Sequence, residues 1–295
     1  MSVDVVVAVP AFLDMTFVGL EALPRLGEER FAGDLVRSPG GGAITAIGAA
    51  RLGLNVALAS PIADDPAGQM IREEMEAEGV QVVGTPCTRT PVTMVLPLDG
   101  QRAMVTYDPG ARARAADVAA LAPDAVVTGL SQLDVVPEGA RAYVSVGDDD
   151  ARAFAGRLPN DLERAAGLLI ESREGMVLTG ADTPEAAAEM LGRTVPVAIV
   201  GVGERGAVAV VDGRRVDVEG FQVGGVVDPT GTNDLFISAW LWGVAKGLSI
   251  EDALHWGSLY AALSVRVPTG ARGATGLGEF IEEGSRRGLP LPPEN

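Results

Sequence analysis

Residues 228–234 read Asp228-Pro-Thr-Gly-Thr-Asn-Asp234 and run without a break into Leu235-Phe-Ile-Ser-Ala-Trp-Leu-Trp-Gly-Val-Ala-Lys-Gly247. The preceding Gly225-Val-Val227 reads as an apolar strand, the seven residues as a turn, and the apolar run as a buried helix. A helix start carries N–H groups without intrahelical partners and the positive end of the helix dipole. It therefore suits an anion such as a phosphoryl group. Asp234 falls on the first turn of that helix. A carboxylate there is placed to take a proton from a hydroxyl attacking the same anion. Donors for a phosphate beside a base for an alcohol imply alcohol phosphorylation. The same residues would also serve an ordinary strand–turn–helix with Asp as a cap.

The rest of the chain narrows the chemistry. Its 295 residues suit one large α/β domain, or a domain with a small extra piece, and 47% hydrophobic content can fill a sizeable core. A formal net charge of −17 argues against non-specific binding to nucleic acid or an anionic membrane. The single cysteine, Cys87, excludes an internal disulfide and a cysteine-rich metal site. The single histidine, His255, argues against His-cluster zinc chemistry and a Ser-His-Asp triad. Met1-Ser-Val-Asp lacks a basic leader, and no apolar run reaches membrane-spanning length, so the chain reads as soluble and cytoplasmic. Lys246 is the only lysine. A P-loop and a protein-kinase strand lysine are thereby both excluded. Phosphoryl transfer here has to rely on backbone N–H groups, metal ions or arginine.

Strand and helix patterns alternate. Residues 3–9 and 56–60 read as strands, 43–52 as a helix ended by Gly53, and Asp65-Pro66 as the cap of a helix running to about Glu78. Further strands are expected at 125–128, 142–146, 168–170 and 195–200. This rhythm implies an α/β fold, with a mostly parallel sheet between helices. Residues 11–36 and 88–108 break it, and Asp99-Gly100 between two alternating runs signals a hairpin. The two segments are expected to pair as a small β lid over a core made of 1–10, 37–87 and 109–295. The tail 288–295 is expected to fray.

The stretch at 228–234 resembles the C-terminal signature of the ribokinase-like carbohydrate kinases, the phosphofructokinase-B (PfkB) family, usually worded Asp-Thr-Thr-Gly-Ala-Gly-Asp. Asp228, Thr230, Gly231 and Asp234 match. Pro229 and Thr232 are mild changes, and Asn233 replaces the second glycine; asparagine tolerates left-handed backbone better than most residues. Gly40-Gly-Gly-Ala-Ile-Thr-Ala-Ile-Gly-Ala-Ala-Arg-Leu-Gly53 with Asn55 to Gly68 resembles the N-terminal signature. The resemblance covers nearly the whole chain. It implies a central mostly parallel sheet flanked by helices, a β lid, and ATP-dependent phosphorylation of a small sugar or sugar acid. Asp234 would be the base, with the backbone N–H groups of Gly231, Thr232, Asn233 and Asp234 holding the developing charge.

The remaining roles rest on the same resemblance. Asp14 would grip two sugar hydroxyls, and Gly40 and Gly41 would bind others. Ile44 or Thr45 stands where the family has an asparagine that touches substrate. Glu174 matches a glutamate acting through water on magnesium, while Glu171 replaces an asparagine. Gly201-Val-Gly-Glu-Arg-Gly206 spells a dinucleotide fingerprint, but a strand follows it instead of a helix, so a dehydrogenase is rejected. In the family a hairpin there lies under the nucleotide, which brings in Gly203 and Gly206. Ser249-Ile-Glu-Asp252 caps a helix to about Val265 that would pack near adenine and carries Ser258. His255 and Trp256 on it read as packing or surface residues. Asp228 and Thr230 align with positions that bind potassium in some members. Low aromatic content, 4%, places a nucleoside acceptor second to a sugar. A member of the fold that binds sugar or nucleotide without transferring phosphate is a further alternative, motivated by Asn233 and Glu171. An exposed lid face would favour a homodimer.

Overall fold

The computed structural model describes residues 3–98 and 101–293. Its strands are β1 (Val5–Val7), β2 (Ala11–Val18), β3 (Asp34–Gly41), β4 (Val56–Ala59), β5 (Gln81–Val83), β6 (Val92–Leu98) and β7 (Gln101–Tyr107). They continue as β8 (Ala125–Thr128), β9 (Arg141–Val146), β10 (Ala165–Glu171), β11 (Val197–Gly201), β12 (Gly206–Val211) and β13 (Arg214–Glu219). The helices are α1 (Gly42–Arg51), α2 (Pro66–Ala77), α3 (Ala115–Ala119), α4 (Asp148–Ala153) and α5 (Ser172–Thr179). After them come α6 (Pro184–Leu191), α7 (Thr232–Ala245), α8 (Ile250–Ser264), α9 (Gly270–Gly273) and α10 (Leu277–Arg286).

Nine strands form one sheet in the order β13-β12-β11-β10-β9-β8-β1-β4-β5. From β11 to β5 all neighbours are parallel, and β12 and β13 close one edge as an antiparallel hairpin. The strands are apolar on both faces because helices cover both. Val5, Val7, Val197 and Ile199 pack on the side of α1, α2, α7, α8 and α10. Val6, Ala8, Ala198 and Val200 pack on the side of α3 to α6. Asp65 caps α2 by accepting the Gly68 N–H at 2.8 Å, as its Asp-Pro spacing predicts. Trp242, Trp256 and Phe280 meet edge to face with centroids 4.8–5.4 Å apart, which ties α7, α8 and α10 together.

A separate four-stranded sheet has the order β3-β2-β6-β7. β2 leaves the large sheet directly after β1, so the small sheet stands at the carboxyl ends of the parallel strands, where open α/β sheets hold their ligands. β3 runs on through Gly40 and Gly41 into α1. The Asp99-Gly100 turn lies outside the described residues, but its flanks pair in hairpin register, Leu98 opposite Gln101.

Three local expectations give way. Gly225-Val-Val227 is not a strand: Val227 is 47% exposed, and the N–H groups of Val227 and Asp228 donate to the Val265 carbonyl at 2.8 and 3.2 Å. The end of α8 thus takes the backbone bonds a sheet would have used. The tail is docked as far as it is described, with Pro290 O accepting the Trp256 indole N–H at 2.8 Å and Leu289 N donating to Gly284 O at 3.0 Å. Asn233 needs no left-handed backbone. The positive φ falls on Gly231 at 82°, and Asn233 sits inside the first turn of α7.

Candidate active site

The turn before α7 is built around Asp228, whose side chain is 1% exposed. One carboxylate oxygen accepts the Thr230 N–H and the other the Thr269 N–H, both at 2.9 Å. Two loops distant in sequence are thereby tied. They approach backbone to backbone: a Cβ on Gly231 would lie 2.9 Å from Gly270 Cα and 3.0 Å from Ile44. Only glycine allows that packing. Ile44 is the floor beneath both glycines, 1% exposed, and not a hydroxyl-binding residue. The hydroxyls of Thr230 and Thr269 are buried there without partners among the described residues.

α7 opens on this turn with its first N–H groups free of helical bonds. Gly231 N and Asn233 N have no acceptor among the described residues, and Thr232 N reaches only Pro229 O, at 3.4 Å. Asp234 is half-buried in the same turn and accepts a hydrogen bond from the Thr45 hydroxyl at 2.9 Å. Burial raises its pKa to about 6, against the hydrogen bond from Thr45 and the charge of Arg102. The Ser238 hydroxyl lies 2.9 Å from the Thr45 backbone carbonyl, which links α7 to α1, and 2.7 Å from the Asp234 backbone carbonyl one turn back in its own helix.

Asp14 reaches the same cleft from β2, opposite Ser38 on β3 and Thr93 on β6. It is 5% exposed. Burial raises its pKa to about 7, assisted by the charges of Asp234 and Asp228, while Arg102 and a hydrogen bond with Thr93 oppose the rise. A Cβ on Gly40 would collide with the Asp14 carboxylate, so this glycine makes room for the carboxylate. Gly41 turns the chain into α1 at φ 57°, and a Cβ there would meet the Phe12 ring at 2.6 Å.

Glu171 and Glu174 lie at the end of β10 and in the first turn of α5. Glu171 is not a freely solvated helix start: burial, then the charge of Glu174, raises its pKa, partly offset by Arg102. Gly203 is exposed at φ 64°, and Gly206 starts β12, packed so closely on Gly220 that a Cβ would lie 2.5 Å from its nitrogen. Ser258 faces inward, and its hydroxyl donates to Glu219 O at 2.7 Å, fastening α8 to β13. Trp256 is fully buried in the aromatic cluster.

Asp14, Asp234, Asp228, Thr45 and the Gly40–Gly41 pair thus converge on one cleft, and the charge of Arg102 acts on Asp14, Asp234 and Glu171 alike. Thr93 and Arg102 belong to it as well. Their contribution depends on strand register, which one sequence does not display.

Residues 25–274 match the pfkB family of carbohydrate kinases. The chain belongs to that family and is an ATP-dependent carbohydrate kinase. It is 27% identical over 269 residues to a fructokinase from Rhizobium leguminosarum bv. trifolii, covering 80% of this chain and 78% of the relative. Adenosine kinase from Sinorhizobium meliloti superposes with a TM-score of 0.80 at 22% identity, over 96% of this chain and 99% of that one. Arabidopsis thaliana ribokinase, solved with ribose and ATP, superposes with a TM-score of 0.78 at 21% identity, over 96% and 98%. Among the described residues no helix is long and apolar enough to cross a membrane.

Proposed function

We propose that the chain transfers the γ-phosphoryl group of ATP to a hydroxymethyl or other alcohol group of a small sugar or sugar acid, with Asp234 as the base. Asp234 takes the hydroxyl proton, the alkoxide oxygen bonds to the γ-phosphorus, and the bond to the β-phosphate oxygen breaks to leave ADP. The observation that carries this reading is Asp234 itself, a carboxylate with a pKa near 6 held by Thr45 beside unpartnered N–H groups at a helix start. A base of that pKa is ionised at neutral pH yet basic enough to share a proton in the transition state. The N–H groups from Gly231 to Asp234 would stabilise the charge on the transferring group. Asp14, Gly40 and Gly41 would hold acceptor hydroxyls. Gly203 and Gly206 would line the nucleotide side.

A sugar ranks above a nucleoside because the three tryptophans are all at most 1% exposed in the core, leaving no indole to stack on a base. Asn233 in ordinary helical backbone supports a working turn over a binding-only protein. Magnesium fits Glu174 with Glu171. No cluster of three ligands occurs among the described residues, so a metal there would lean on phosphate oxygens and water, as magnesium commonly does. It would offset what raises Glu171, burial first and then the charge of Glu174. The orphaned hydroxyls of Thr230 and Thr269 beside Asp228 are hard oxygen donors that suit potassium. The segments 11–36 and 88–108 would act as a lid on the remaining core. Its outer face, with Leu35, Met94, Val105 and Tyr107 exposed by 42–68%, suits self-association. The test is ADP release from ATP with magnesium and potassium, using separate pools of sugars, sugar acids and nucleosides. Release with a sugar or sugar-acid pool above the blank supports the reading. Release with nucleosides alone overturns the acceptor, and silence with every pool overturns transfer.

A further inference from the structure

Two buried hydroxyls of the small sheet have no partner among the described residues: Ser38 Oγ on β3 and Thr16 Oγ1 on β2. Ser38 is 4% exposed and Thr16 0%. The strand register gives their direction. Asp14 pairs with Ser38 on one side and Thr93 on the other, and Thr16 follows two residues along β2. Directly paired residues point to the same face of a sheet, and every second residue along a strand returns to it. Ser38 and Thr16 therefore share the cleft face with Asp14. Residues between them face outward, where Leu35 and Met94 are each 42% exposed. The Asp14 carboxylate lies against Gly40, in the space a Cβ there would take, and the Ser38 hydroxyl is left unbonded. Thr16 is flanked by Val36 and Val95, whose side chains neither donate nor accept a hydrogen bond.

We propose that Ser38 and Thr16 bind oxygen atoms of the phosphoryl acceptor and select a polyhydroxy acceptor that carries oxygen beyond the part held by Asp14. This rests on reading Asp14 as an acceptor-binding residue in a phosphoryl-transfer site. A buried hydroxyl left unpaired lowers stability, whereas an apolar group of the same shape does not. Packing alone would be served better by valine at 16 and alanine at 38. Asp14 is itself 5% exposed, so an acceptor that reaches Asp14 reaches Ser38 as well. A serine or threonine hydroxyl both donates and accepts, so each can meet a sugar hydroxyl or a carboxylate oxygen. Adjacent strands lie about 4.8 Å apart, and alternate residues along one strand about 6.7 Å apart. Asp14, Ser38 and Thr16 thus form a triangle of polar groups with sides on the order of 5–8 Å, the span of a small sugar and more than a single hydroxyl needs. Ile44, buried beneath Gly231 and Gly270, supplies no hydrogen bond from α1. Further acceptor oxygens are therefore met from the small sheet.

The test uses the full-length chain with Ser38→Ala and Thr16→Val, and Thr16→Ser as the conservative variant. Thermal unfolding without acceptor reads the hydroxyls in the fold alone. Ser38→Ala and Thr16→Val are expected to melt at or above the wild-type temperature, since each removes an unmet hydrogen bond. Melting several degrees lower would show bonds within the fold and overturn the inference. Pools of sugars and of sugar acids are then added. Wild type and Thr16→Ser are expected to gain melting temperature with one pool, and Ser38→Ala and Thr16→Val to lose most of that gain. In steady state their KM for the accepted sugar is expected to rise about tenfold at constant ATP KM. The wild type is expected to reject a monodeoxy form of that sugar, and the variant lacking the matching hydroxyl to reject it no longer. No gain with any pool, or an equal gain in wild type and both variants, overturns the inference. If the pool acts through these hydroxyls but no phosphate is transferred, this inference stands and the transfer reading falls. An active wild type whose variants keep its acceptor KM gives the reverse.

Discussion

Asp14 and Gly40 are fitted to each other, since the carboxylate occupies the space a Cβ would take. Gly40→Ala should push that carboxylate off its place without reaching the nucleotide side. Acceptor KM is expected to rise at least about tenfold with ATP affinity unchanged, measured by steady-state kinetics and nucleotide titration. An unchanged acceptor KM would remove Asp14 from acceptor binding. The two raised carboxylates also set a pH dependence. Asp234 is raised to about 6 and Asp14 to about 7, so both lose their charge at a higher pH than ordinary carboxylates. With Asp234 as the proposed base, its ionised form would be the reactive one, and kcat/KM should climb as pH rises through 6 to 7. A profile flat down to pH near 4, where an unperturbed carboxylate titrates, would contradict burial of the base. The sequence singled out both aspartates, Asp234 by its signature and Asp14 by its place soon after the first strand. Thr45 was not separable from Ile44, because a one-residue choice on a helix decides which side chain faces Asp234 and which packs under Gly231.

At the scale of elements, the start of α7 depends on a second loop. Asp228 joins the turn before α7 to the segment before α9 by accepting an N–H from each. Asp228→Asn would turn an amide N–H₂ toward one of those donors. A buried group left unpaired in this way costs about 1–3 kcal/mol. Hydrogen exchange is expected to quicken at 228–231 and 268–271 together, with kcat falling and the sheet core unaffected. Faster exchange in only one segment would show that they are not coupled through this carboxylate. The sequence announced the helix and its glycine turn, because an apolar run after Gly-Thr-Asn-Asp has few other solutions. It also suggested a strand at 225–227, because two valines read alike wherever their backbone bonds go. The Val265 carbonyl that takes those bonds is nearly forty residues away and invisible to any local pattern.

For the whole molecule, alternation between the two core clusters made the parallel sheet readable: each buried strand shows apolar residues to helices on both faces. The composition of the small sheet could be anticipated, but its register could not, and that register places Arg102 on the cleft face and Val105 outside. Val105 is 68% exposed beside Met94 and Tyr107 on a face with no partner in a single chain. The chain is expected to sediment as a dimer and Val105→Glu as a monomer; identical sedimentation of the two would place any association elsewhere. The most direct measurement is transfer of labelled γ-phosphate from ATP to the accepted alcohol in a single turnover, comparing wild type with Asp234→Asn at pH 8. The asparagine variant keeps the shape of the cleft and the reach of Thr45 but has no base. Transfer should slow by at least about a thousandfold while ATP still binds and the fold is kept. Transfer at the wild-type rate would contradict the assignment of Asp234 as the base.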